Sequence, residues 1–99
     1  MARSIHPPVH PGEILREEFL APFGMSAGAL AKRLNVPRTR IERLVSETTS
    51  MTPDTALRLG KFFATSPEFW MNLQTAFDLT AQSQAMKEQI AAIEEMKAA

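Results

Sequence analysis

Apolar residues recur along this chain at helical intervals, and prolines, glycines and hydroxyl residues divide them into segments. The stretch His6-Pro7-Pro8-Val9-His10-Pro11 cannot form regular helix, because proline lacks an amide donor and crowds the turn before it. It predicts an extended arm over residues 1–10. Pro11 suits the first turn of a helix, and Ile14, Leu15, Phe19 and Leu20 follow at helical spacing until Pro22 and Gly24 stop it. The first helix is expected over about 12–22.

Ser26 is a good N-cap for a second helix, whose buried stripe is Leu30, Ala31 and Leu34. Asn35 tolerates the left-handed conformation of a tight exit, and Pro37 fits the first position of a third helix that turns Ile41, Leu44 and Val45 inward. Two short helices about three residues apart have the spacing of a helix-turn-helix. Glu47 to Met51 reads as a polar loop. Thr52-Pro53-Asp54 and Ser66-Pro67-Glu68 then repeat one start signal: a hydroxyl cap, a proline, and an acid facing the positive helix end. The fourth helix is expected over about 53–64, with Ala56, Leu57, Leu59, Phe62 and Phe63 apolar. The fifth begins at Pro67 and carries Phe69, Trp70, Leu73 and Phe77. No proline or glycine follows, and Leu79, Met86 and Ile93 recur every seven residues, which predicts an amphipathic C-terminal helix with a bend near Leu79-Thr80. No strand pattern competes. The expected class is all-α, organised as an arm (1–10), a helix-turn-helix domain (11–79) and a C-terminal helix (80–99).

Composition narrows the function. At 99 residues the chain is one small domain, for which oligomerisation would add buried surface. It has no cysteine, so disulfides and thiolate metal sites are excluded. No apolar run reaches the roughly 18 residues of a membrane span, and the start lacks a secretory pattern, so a cytoplasmic setting is expected. Net charge is zero, but its distribution is uneven. Within 26–65, seven cations (Lys32, Arg33, Arg38, Arg40, Arg43, Arg58, Lys61) against three acids leave +4, while the flanks carry −1 and −3. A basic middle between acidic ends is what a face-specific DNA binder shows, although solvated surfaces produce such blocks too.

The third helix carries the strongest candidates. Arg38, Thr39 and Arg43 point away from Ile41, Leu44 and Val45, and 39 and 43 share a face. In a helix-turn-helix the second helix meets base edges in the major groove, and arginine can donate twice to one guanine. Arg38, Thr39 and Arg43 are therefore the expected base readers. Ser26, Arg40, Thr48 and Thr49 are expected at phosphates, with Ala27 and Ser50 beside them. Without the turn geometry, these arginines would read as a solvated face. His6 and His10 do not make a metal site, lacking further ligands, and no cofactor is implied. Neither histidine accompanies a nucleophile and an orienting acid, and no glycine-rich phosphate loop is present, so an enzyme is not expected. Glu17-Glu18 and Glu94-Glu95 read as solvated faces, and Phe69 and Trp70 as core or dimer contacts.

The order and spacing of His10-Pro11-Gly12-Glu13-Ile14-Leu15, Leu34-Asn35-Val36-Pro37-Arg38-Thr39-Arg40-Ile41, Thr52-Pro53-Asp54-Thr55-Ala56-Leu57 and Ser66-Pro67-Glu68-Phe69-Trp70 resemble the HigA-type antitoxins of bacterial toxin–antitoxin modules. The helix-turn-helix alone points only to the wider Xre/Cro-like repressors; the Phe69-Trp70 segment narrows it. The resemblance implies a five-helix, lambda-repressor-like domain with an extra C-terminal helix. It implies a homodimer that binds double-stranded operator DNA, represses its own operon and neutralises a HigB-like toxin, an mRNA endonuclease of the RelE kind. The arm and the C-terminal helix are the expected toxin contacts. Members usually carry Asn-Gly and a basic residue after the recognition helix, whereas this chain reads Ser46-Glu47-Thr48. The departure predicts an altered exit or weaker DNA affinity. Two alternatives stand beside this reading: a repressor without a toxin partner, and a protein-interaction module that has lost DNA binding.

Overall fold

Helices, and among the described residues no strand, make up the protein; the computed structural model describes residues 9–97. Most of the arm expected over 1–10 lies outside the described residues. A continuous helical stretch over 11–23, α1, joins an α-helical turn (Pro11–Ile14), a π-helical turn (Leu15–Leu20) and a 3-10 turn (Ala21–Phe23). Then follow α2 (Ala27–Leu34), α3 (Arg38–Val45), α4 (Pro53–Phe63), α5 (Pro67–Ala85) and α6 (Lys87–Ala91).

The π turn is a departure from the expected α-helical spacing, and burial explains it. Leu15 and Leu20 are five residues apart, about 140° apart around a helix of 3.6 residues per turn. Widening the turn to i→i+5, as in the bond from the Ala21 N–H to the Arg16 carbonyl, brings both to the core side. Pro37 also differs by one position. Its ψ of 144° is extended, so it is the N-cap of α3 and not its first residue. No break falls at Leu79-Thr80; α5 runs on to Ala85 and ends at Met86.

The first four helices end alike. Gly24, Asn35, Glu47 and Ala64 all have positive φ, between 58° and 65°. The amide after each reaches back to a carbonyl in the last turn: Met25 to Leu20 (3.0 Å), Val36 to Ala31 (3.0 Å), Thr48 to Arg43 (2.9 Å), Thr65 to Gly60 (3.0 Å). This is the Schellman exit, which satisfies carbonyls that a helix end leaves orphaned. At the other ends, the hydroxyls of Ser26, Thr52 and Ser66 accept from Ala29, Thr55 and Phe69 amides, as the cap signals predict.

The core collects Leu15 and Leu20 of α1, Leu30, Ala31 and Leu34 of α2, Ile41 and Leu44 of α3, Ala56 and Leu59 of α4, and Trp70 of α5. Trp70 is fully buried, with its Nε1–H donating to Thr65 Oγ1 at 2.8 Å, and it packs against Phe19. Val45, expected inward, is half-buried, and Leu57, Leu79, Ile90 and Ile93 are exposed. His10 is also buried. Its Nδ1 accepts from the Gly12 amide at 2.8 Å, and its ring stands edge-on to Phe77.

Gly12 brings α1 onto α3. A Cβ there would lie 1.8 Å from the Leu44 carbonyl oxygen, a backbone atom that cannot step aside. Gly12→Ala should therefore lower unfolding free energy by on the order of 2–3 kcal/mol in urea titrations. Ala64 is the opposite case, an L-residue held in a left-handed exit that glycine adopts without strain. Ala64→Gly should raise stability by about 0.5–1 kcal/mol in the same titration, the relieved strain exceeding the entropy glycine loses.

Candidate nucleic-acid interface

Only Asn35, Val36 and Pro37 separate α2 from α3, and the left-handed Asn35 sets the angle between them. α3 buries Ile41 and Leu44, so Arg38, Thr39, Arg40, Glu42 and Arg43 face solvent. Thr39, Arg40 and Arg43 border a hollow of 420 Å³ whose other walls are Thr49 and Ser50 of the loop and Thr52 and Asp54 at the start of α4. The structure thus brings three α3 candidates together with Thr49. Ser26 lies at the start of α2, its Oγ accepting from the Ala29 amide at 3.1 Å.

The three arginines of α3 are held differently. Arg38 Nε lies 3.3 Å from Glu42 Oε2, one turn on, and its side chain is 72% exposed. Its stem passes Gly28 of α2, where an added Cβ would come within 3.0 Å of Arg38 Cδ. Arg40 Nη1 donates to Asp54 Oδ1 at 2.6 Å. Arg43 makes no ion pair among the described residues.

Asp54 ties the motif together. Besides Arg40 it accepts from Arg58 Nε at 2.8 Å, and Arg58 Nη1 donates to the Leu34 carbonyl at the end of α2, also at 2.8 Å. Hydrogen bonding to Arg58, then to Arg40, holds the Asp54 carboxyl below its ordinary value. A lowered carboxylate contributes stability above its unfolded pKa and loses it as pH falls through the folded one. The clasp is therefore ionised throughout the neutral range and opens only in acid.

The loop after α3 corrects an expectation. The left-handed exit is retained without glycine, because Glu47 itself takes φ 65°. The Thr48 hydroxyl reinforces it by donating to the Arg43 carbonyl at 3.1 Å. The Glu47 carboxylate is neutralised from α1, with Arg16 Nη1 and Nη2 each 3.3 Å from Oε2. Arg16 Nη1 also donates to the Val45 carbonyl, and Arg16 Nε to Glu17. Its pKa is raised further above an already high value, first by Glu17 and then by Glu47, against the opposing effect of burial. The expectation of an altered exit is thereby corrected.

Sequence reading missed several residues that shape this surface. Asp54 reads as a first-turn acid, and its i,i+4 spacing to Arg58 on the same helix is a signal, whereas nothing marks its second partner, Arg40 of α3. Gly28 carries a signal, since glycine inside a short helix is unfavourable unless something needs the space. Gln74 is buried on α5; its Oε1 accepts from the Met51 amide at 2.6 Å and its Nε2 donates to Asp78, fixing the far end of the loop.

The Helix-turn-helix family model matches residues 15–70. The chain is 53% identical over 78 residues to virulence-associated protein I of Dichelobacter nodosus, which spans 79% of this chain and 72% of that one. It is 37% identical over 79 residues to antitoxin HigA-1 of Vibrio cholerae, at 80% and 74% coverage. Among solved structures, the Pseudomonas aeruginosa antitoxin HigA with higBA promoter superposes with a TM-score of 0.87 at 44% identity, over 91% of this chain and 99% of that one.

Arg16→Met should cost about 1–2 kcal/mol in urea titration, by removing a charge-assisted bond to the α3 terminus and leaving Glu47 unpaired. Adding Glu47→Gly should restore part of that loss.

Proposed function

The chain belongs to the helix-turn-helix family and, within it, to the HigA-type antitoxins, and from that premise we propose that it binds its own operator as a homodimer and neutralises a HigB-like toxin. The observation that carries the DNA part is the exposed face of α3, where Arg43, without a counter-ion among the described residues, stands beside a hollow rimmed by hydroxyls. In the major groove Arg38 and Arg43 donate to guanine edges, and Thr39 meets a thymine methyl or one hydrogen-bonding group. Phosphates approach the rim. There the Ser26 and Thr49 hydroxyls and helix-end amides supply donors, while Thr48 serves chiefly to hold the exit, and Arg40 reaches a phosphate by sharing itself with Asp54.

A two-fold dimer presents two α3 helices to half-sites about one DNA turn, roughly 34 Å, apart, so the operator is palindromic. Repression follows from occupancy of the promoter. The toxin part rests on family membership, with a small basic toxin gene expected beside this one; without it the chain is a repressor alone. DNA as partner places the protein in the cytoplasm, and no catalytic step or cofactor belongs to this reading.

The test is anisotropy titration of a labelled fragment from upstream of its own gene. A saturable complex is expected, and absence of binding at low salt by a folded chain overturns the proposal. Arg43→Ala should weaken that complex by about 1–3 kcal/mol and relax discrimination at one base pair of each half-site.

A further inference from the structure

The acid of α3 lies nearer the middle of its exposed face than one of its arginines does. Ile41 and Leu44 define the buried side of this helix. At 3.6 residues per turn, Thr39 falls within about 10° of the opposite direction, Glu42 and Arg43 about 50° to either side of it, and Arg38 about 90° away. Arg43 borders the hollow beside the loop, and Glu42 does not. Glu42 shares the other edge with Arg38, whose stem passes Gly28 of α2. Arg38 Nε lies 3.3 Å from Glu42 Oε2, and Glu42 makes no other ion pair among the described residues. Its side chain is 49% exposed.

A solvated pair one turn apart contributes little to stability. On a face that approaches phosphates, an acid is repelled unless a donor meets it. In the major groove the base donors are the N4 amine of cytosine and the N6 amine of adenine. Adenine sets its N7 acceptor beside that amine, against the second carboxylate oxygen, so cytosine is the better partner. We propose that Glu42 is a specificity-determining residue, which accepts from cytosine N4 at one position of each half-site while Arg38 donates to the guanine beside it. This rests on the DNA reading proposed above. One helical turn, about 5.4 Å, exceeds the rise of one base pair, about 3.4 Å, so the two side chains reach neighbouring pairs. In the free protein Arg38 offsets the acid. In the complex the two present a donor and an acceptor together, and the acid disfavours sequences that offer only acceptors at its position.

Selection of binding sites from DNA with randomised half-sites tests this, using the full chain as wild type, Glu42→Gln and Glu42→Ala. The wild type should select cytosine beside a guanine in each half-site. Glutamine pairs with adenine N6 and N7, so Glu42→Gln should move the preference at that position from cytosine to adenine, by at least about fivefold. Glu42→Ala should lose the preference there and keep the neighbouring guanine. Uniformly tighter binding by both variants with unchanged base preference would overturn the proposal. So would relaxation at the guanine alone, which would make Glu42 a support for Arg38. A wild type that selects no common sequence would instead fail the DNA reading, and this proposal with it. Circular dichroism should stay helical in both variants, and if Glu42→Ala fails to fold, Glu42→Gln decides alone.

Discussion

The structure depends on anchoring the carbonyl end of α3. This helix has eight residues and buries only two of them fully, too little to be stable alone. Its solvent face must stay free if it is to meet another molecule, so its support comes from behind and from its last turn. Gly12 lets the α1 backbone press directly on the Leu44 carbonyl, which accepts from the Glu47 amide at 3.0 Å, and Arg16 binds the next carbonyl, that of Val45. The Arg43 carbonyl is taken by the Thr48 amide and hydroxyl. Three successive carbonyls are thus accounted for without the use of Thr39 or Arg43 side chains on the other face.

The same division governs charge. Arg16 and Arg58 each bind a backbone carbonyl at a helix end and a carboxylate beside it, Glu47 in one case and Asp54 in the other. They hold the frame. Arg38 and Arg40 are partly committed, through Glu42 and Asp54. Arg43 makes no ion pair among the described residues. The block charge of +4 over 26–65 already counts Glu42, Glu47 and Asp54, and the block's cations without an ion pair among the described residues are Lys32, Arg33, Arg43 and Lys61. Of these only Arg43 lies on α3, which suits a site where a few side chains read bases more than one that coats a backbone.

Much of this frame was legible in the residues. Ser26, Thr52 and Ser66 marked helix starts because a hydroxyl before a helix has one good use. Gly24 and Asn35 marked exits because they enter left-handed space at little cost. Glu47 and Ala64 gave no such mark. Their left-handed backbone is imposed by the carbonyls that need partners and by the tertiary contacts around them, which no single residue announces. The π turn was hidden for a related reason: α-helical and π-helical readings of Leu15 to Leu20 differ only in which face must be buried. The α3 candidates were legible as a face. Their unequal commitment was not, because Asp54 and Arg40 are 14 residues apart and meet only when α4 folds against α3.

The central claim is that α3 reads guanine in the major groove, and dimethyl sulfate protection of operator DNA tests it most directly. That reagent methylates guanine N7 in the major groove and adenine N3 in the minor groove. The bound protein should protect guanine N7 in two clusters about 10 base pairs apart, with protection at one guanine of each cluster lost in Arg43→Ala. Protection confined to adenine N3, or guanine protection unchanged by substitution of both Arg38 and Arg43, would contradict the account.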